Sequence, residues 1–196
     1  MIQTIGLSVG DSIDLADLEK LQEESQRQEA MRQALSYLSV RPRSCWEVER
    51  RLRDKGHGDV AVQATLERCE ALRYLDDKAF AAAYSRDRIR LRPRSTRMLL
   101  AELAGKRVAR ADAEAGIREA LRDERVSETD LLVRAAEKGA RTLGSVDVEI
   151  ARRRLTAYLG RRGFAGEAIR DCVDGLTSDW PDGRVIKEPD LDIDEE

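Results

Sequence analysis

The sequence predicts an all-α fold of three tandem three-helix repeats, on three observations. Long stretches are rich in Ala, Leu, Arg and Glu, which are good helix formers. Apolar residues recur at three- and four-residue steps, as in Val48 and Leu52 or Val62, Leu66 and Cys69. The tetrapeptide Arg41-Pro42-Arg43-Ser44 returns 51 residues later as Arg92-Pro93-Arg94-Ser95. Its context repeats as well: Leu52 and Leu103 follow at the same distance, then Lys55 and Lys106. A third copy aligns through Leu159, Arg162 and Gly163. Val62, Ala113 and Ile169 line up downstream, and so do Leu66, Ile117 and Val173. Helical units at a period of about 50 residues stack into an array.

Taken in order, residues 1–28 are an acidic extension, partly helical or disordered, with a short alternating fragment at Ile5, Leu7 and Val9. Residues 14–39 read as one helix or two, with Leu15, Leu18, Leu21 and then Met31, Leu35, Leu38 on apolar stripes. The repeats span 29–77, 78–127 and 128–178. In each, a first helix ends near Ser39, Leu91 or Thr142 and a short loop follows, stiffened by Pro in the first two. Ser44 sits where an N-cap belongs, and Glu47 completes a capping box. Ser95 keeps the hydroxyl cap, but Met98 replaces the Glu. The second helices run to Lys55-Gly56, Lys106-Arg107 and Arg162-Gly163, where a glycine suits a left-handed C-cap. Third helices follow at about 59–73, 111–123 and 165–176. Asp76 and Asp77 read as helix caps rather than metal ligands. Residues 179–196 form an acidic tail, expected to be disordered.

The net charge of −3 conceals a strong pattern. Residues 1–26 hold one basic and six acidic side chains, and residues 171–196 hold two basic and ten acidic. The body between them carries 32 basic and 22 acidic residues, a net of +10. Such a body suits an acidic or polyanionic partner, although solvated Arg-rich helices would give the same count.

Composition excludes several chemistries. One histidine, His57, cannot build a multi-histidine metal site, and its flanking glycines make it a turn residue. Cys45, Cys69 and Cys172 form no C-x-x-C, so neither a zinc ribbon nor a disulfide framework fits, and Cys69 and Cys172 read as small core residues. No apolar run is long enough for a bilayer, and the N-terminus lacks a signal pattern. No Gly-rich phosphate loop or nucleophile elbow appears. A non-enzymatic, cytoplasmic protein without cofactor or metal is expected. Tyr37, Tyr74, Phe80, Tyr84, Tyr158 and Phe164 are spaced as core members, Trp46 lies in a first helical turn, and Trp180 stands at the edge of the tail.

Several segments resemble the RecX family of bacterial recombination regulators. They are Ala34-Leu35-x-Tyr37-Leu38, Arg41-x-Arg43-Ser44 and Glu47-x-x-x-Arg51-Leu52-x-x-Lys55-Gly56. Tyr74-Leu75-Asp76-Asp77-x-x-Phe80-Ala81-x-x-Tyr84, Leu99-x-x-Glu102-Leu103 with Lys106, and Tyr158-Leu159-x-Arg161-Arg162-Gly163-Phe164 extend the match over about residues 30–176. The Lys106-Arg107 end departs from the usual Lys-Gly of the family, so its geometry is expected to differ. The resemblance implies an elongated, curved all-α molecule. It also implies binding to the RecA recombinase filament on single-stranded DNA, with inhibition of strand exchange and ATP hydrolysis. A monomer with weak direct DNA contact and no membrane contact is expected.

Arginine suits bidentate pairing with carboxylate and phosphate. The candidate partner-binding residues are therefore Arg41, Arg43, Arg50, Arg51, Arg53, Lys55, Arg92, Arg94, Arg97, Lys106, Arg152, Arg161 and Arg162. Arg86, Arg88 and Arg90 advance by about 200° every two residues, so they cannot all face one partner. A nucleic-acid-binding module with helix-turn-helix-like units is the alternative function, and a helical scaffold for another protein is a third.

Overall fold

In a computed structural model, which describes residues 14–144, 146–178 and 180, the described residues form nine helices and no strand. The chain divides into two compact units, 1–76 and 77–196. The fragment at Ile5–Val9 and most of the acidic tail lie outside the described residues.

The first unit contains α1 (Leu15–Leu38), α2 (Cys45–Asp54) and α3 (Asp59–Ala71). Its core joins Ala30 and Ala34 to Val48, Leu52, Val62 and Cys69. The apolar stripe expected on α1 is only partly buried. Leu15, Leu18 and Leu35 are exposed; the helix meets the core through buried Ala30 and Ala34, where small side chains let the helices approach, with half-buried Met31, Tyr37 and Leu38 packed beside them. Ser44 caps α2 as expected: its hydroxyl accepts from the Glu47 N–H, and the Glu47 carboxylate accepts from the Ser44 N–H.

The second unit contains α4 (Asp77–Leu91), α5 (Thr96–Gly105), α6 (Arg110–Glu124), α7 (Glu128–Arg141), α8 (Val148–Arg161) and α9 (Gly166–Thr177). Small residues bring α4 and α6 together. A Cβ at Gly116 would lie 2.6 Å from the Ala81 Cβ and 2.7 Å from the Ala82 nitrogen. Leu99, Leu103 and Ile117 fill the core beside them. Ile89 of α4 and Ala120 of α6 belong to the same cluster as Leu131, Leu155, Leu159 and Val173. The second and third repeats are thus fused through a shared core.

All three second helices end alike. Gly56, Arg107 and Gly163 take φ of +85°, +56° and +87°. The next residue returns its N–H to the carbonyl of Leu52, Leu103 or Leu159, at 3.2, 3.1 and 3.4 Å. The expected departure at Arg107 is therefore absent: the chain keeps the left-handed turn and bears a cost of about 1 kcal/mol for the side chain. Arg73 and Arg125 are left-handed as well. After Arg73, Leu75 turns into the core at 3% exposure and Tyr74 is left 55% exposed, so Tyr74 is a surface residue rather than a core member. Phe80 and Phe164 are buried as expected, while Tyr37, Tyr84 and Tyr158 are half-buried. Cys69 is fully buried, and Cys172 is half-buried against its core.

Candidate partner-binding surface

In the first unit the Arg41–Ser44 loop joins α1 to α2. The Arg43 guanidinium lies 4.0 Å above the Tyr37 ring, and that of Arg51 approaches the same ring at 5.6 Å. Tyr37 is thus a platform for two cations, which a ring quadrupole attracts. Arg50 lies 5.5 Å from the Trp46 ring and 3.8 Å from Asp54. Arg41 pairs with Glu47 at 3.1 Å. Arg53 pairs with Glu49 at 2.6 Å and Asp59 at 3.1 Å. Among the described residues, Arg43, Arg51 and Lys55 have no carboxylate at ion-pair distance, and Arg51 and Lys55 are exposed.

The corresponding positions of the second unit carry different chemistry. Arg88, Arg94 and Glu102 stand where Tyr37, Arg43 and Arg51 stand in the first repeat. The Glu102 carboxylate, 17% exposed, accepts from Tyr84 Oη at 2.7 Å, from Arg88 Nε at 3.1 Å and from Arg94. Arg88 also donates to Tyr84 Oη at 2.8 Å. Burial, reinforced by the Glu102 contact, pushes the Tyr84 phenol above its usual range. Lys106 sits 5.5 and 5.9 Å from the Tyr84 and Phe80 rings. Arg86 pairs with Glu119 and Asp123, and Arg90 with Glu124, so this Arg run is largely satisfied within the chain.

The start of α5 docks on the turn between α8 and α9. Ser95 donates its backbone N–H to the Arg162 carbonyl at 3.1 Å, and Arg97 Nε donates to the Gly163 carbonyl at 3.3 Å. Thr96 donates its N–H and its hydroxyl to Glu128, and Lys138 donates to the Leu91 carbonyl. A Cβ at Gly163 would fall 2.5 Å from Ser95 Oγ, so only glycine fits beneath the cap.

This docking gathers Arg92, Arg94, Arg97, Arg161 and Arg162, which lie far apart in sequence. The Arg162 guanidinium stacks 3.6 Å from the Tyr158 ring, and its Nε is buried without a hydrogen-bond partner. Burial lowers its proton affinity; the Tyr158 contact opposes this, and the charges of Arg94, Arg161 and Arg92 reinforce it. Glu102, already shared with Arg88, is the one carboxylate at ion-pair distance from this cluster among the described residues. Arg92, Arg97 and Arg161 are exposed. Arg152 stands apart from them, about 13 Å back along α8, and reaches Thr177 at 2.8 Å, Glu149 at 3.5 Å and Asp174 at 3.9 Å.

The sequence reading missed Tyr37 and Tyr158 as cation platforms and Glu102 as a hub. The spacing of Tyr158 and Arg162, one helical turn apart, was the available signal. Chemically the cluster can hold carboxylate or phosphate. Among the described residues no three His, Cys, Asp or Glu side chains converge to hold a metal, and no helix is long and apolar enough to cross a membrane.

Comparison with known proteins places these features in context. Residues 30–69 match the family model described as RecX, first three-helix domain, and residues 76–121 match RecX, second three-helix domain. The regulatory protein RecX of Prosthecochloris aestuarii is 34% identical over 153 residues, covering 78% of this chain and 97% of that protein. The regulatory protein RecX of Geobacillus thermodenitrificans is 36% identical over 143 residues; the match covers 71% of this chain and about half, 51%, of that longer relative. A crystal structure of a regulatory protein RecX superposes with a TM-score of 0.70 at 19% identity, covering 86% of this chain and 83% of that one. RecX from Lactobacillus salivarius superposes with a TM-score of 0.61 at 21% identity, covering 79% and 99%.

Proposed function

Because the chain belongs to the RecX family of regulatory proteins, we propose that it binds the RecA recombinase filament on single-stranded DNA and lowers strand exchange and ATP hydrolysis. The observation that carries this reading is the arginine cluster Arg92, Arg94, Arg97, Arg161 and Arg162, which among the described residues has a single shared carboxylate, Glu102, at ion-pair distance. Cations left without counter-charge at a surface await an anionic partner, and a filament of protein on DNA offers carboxylates and phosphates together. Arg51 and Lys55 of the first unit, with Arg43 poised on Tyr37, serve the same end.

Within this reading the candidate residues divide by task. Arg92, Arg161, Arg51 and Lys55 contact the partner directly. Arg43 and Arg162 are held in place by their rings. Arg94, Lys106 and Arg152 chiefly order the surface from within, and Arg41, Arg50, Arg53 and Arg97 exchange part of their internal pairing for the partner. The protein acts without catalysis, as a monomer in the cytoplasm.

The test is binding of fluorescently labelled protein to RecA filaments assembled on oligothymidylate, with the same oligonucleotide alone as the comparison. Saturable binding that requires RecA and weakens as salt rises is expected. Equal binding to the bare oligonucleotide, with a steep salt slope, would replace this reading with the nucleic-acid-binding one.

A further inference from the structure

We infer that Arg94 and Arg162 form a site for a single phosphate group at the junction of the second and third repeats, with Arg92, Arg97 and Arg161 as its cationic rim. The ligand is a phosphate, either free or carried in the backbone of a nucleic acid. Its use by a partner rests on the RecA reading above; the site itself does not.

Three observations carry it. The first is that two elements build the site. Arg94 precedes α5 and Arg162 follows α8, and the docking of one on the other sets their charges within electrostatic range. Backbone contacts fix that docking: the Ser95 N–H donates to the Arg162 carbonyl, and a Cβ at Gly163 would strike Ser95 Oγ. The cations are therefore held together against their own repulsion, which a bound anion relieves.

The second is that both side chains are set from behind. Arg94 donates to Glu102, whose carboxylate also accepts from Tyr84 and Arg88. Arg162 stacks 3.6 Å from the Tyr158 ring, and a Cβ at Gly139 would lie 2.9 Å from that ring, so the platform is wedged against α7. Arg94 and Arg162 each keep a buried Nε with no hydrogen-bond partner among the described residues. These groups have shed water without gaining an acceptor, and they lose little freedom when an anion arrives.

The third is the match of charge and shape. Among the described residues the five arginines have one carboxylate, Glu102, at ion-pair distance, and it is already shared with Arg88. A further carboxylate offers two oxygens in one plane and fills one guanidinium fork. A phosphate offers tetrahedral oxygens and more negative charge, so it accepts from guanidinium groups arriving from two elements at once. Bridging Arg94 and Arg162 also ties the start of α5 to the α8–α9 turn, so binding stabilises the second unit.

The experiment titrates the full chain with sodium phosphate near neutral pH, with sodium chloride holding the ionic strength constant and sodium acetate as the comparison. Saturable shifts of the Ser95, Arg162 and Gly163 amides in 1H–15N spectra are expected with phosphate, together with a rising melting temperature, and acetate should produce neither. Arg162→Lys keeps the charge but loses the fork and the stack, and should weaken phosphate binding about tenfold. Arg118→Gln removes an exposed charge from α6 and should leave the affinity unchanged. A short oligothymidylate separates the two sources. Movement of the same three amides, reversed by added phosphate, identifies a backbone phosphate; amides that respond to phosphate but not to the oligonucleotide identify a free one. The absence of saturable shifts with phosphate would overturn the proposal. So would an equal response to acetate, or undiminished affinity in Arg162→Lys. None of these readouts involves RecA, so failure of the site and failure of the proposed function are told apart.

Discussion

Glu102 shows how a single residue decides what the arginines around it do. Its carboxylate takes three donors, from Tyr84, Arg88 and Arg94, in a site largely closed to water. Glu102→Gln keeps the shape and removes the charge, leaving two half-buried guanidinium groups under-compensated. A loss of about 1–2 kcal/mol is expected from denaturant unfolding. Tyr84 reports on the same hub. Its raised value favours the neutral phenol in the folded state, so the associated stability is present below the ordinary tyrosine value and is lost as pH rises through the folded one. In an absorbance titration at alkaline pH, the transition that Tyr84→Phe removes should lie above the usual value of ~10.

The three turns that close the second helices govern packing at the level of elements. Gly163 combines a left-handed backbone with the closest approach in the junction between the second and third repeats. Gly163→Ala should cost at least about 2 kcal/mol, combining strain with a clash against Ser95, and should detach the start of α5 from the α8–α9 turn. Arg125 closes α6 in the same left-handed conformation with its side chain exposed. Arg125→Gly should therefore raise stability by roughly 0.5–1 kcal/mol, read as a higher denaturant midpoint with an unchanged slope.

Much at this scale was legible in the sequence. Leu52, Leu103 and Leu159 are all buried, as are Val62, Ala113, Ile169 and Leu66, Ile117, Val173. Ser44 and Ser95 cap as their spacing requires. Periodicity and capping are local signals, so the chain displays them directly. What escaped depends on contacts between distant residues. Nothing in a one-dimensional pattern brings Arg94 beside Arg162, or shows that Tyr37 and Tyr158, which pack against the cores as expected, also serve as platforms for cations. The exposure of Tyr74 follows from a left-handed arginine, a conformation that sequence alone argues against.

For the molecule as a whole, the decisive quantity is the distribution of charge. A body of net +10 lies between acidic ends, and within its second unit the docking of α5 on the α8–α9 turn draws two sequence-distant arginine groups into one cluster. Under the proposed function the cluster serves binding rather than stability. Arg92→Gln with Arg161→Gln should leave the melting temperature close to that of the parent chain, since both side chains are exposed and neither pairs with a carboxylate among the described residues. The same double variant tests the central claim most directly through the rate of ATP hydrolysis by RecA on single-stranded DNA. The parent chain should depress that rate at substoichiometric ratios, and the double variant should need about tenfold more protein for the same effect, a difference of ~1.4 kcal/mol in binding. An unchanged rate with the parent chain at both substoichiometric and saturating ratios, or equal potency of parent and variant, would contradict the account.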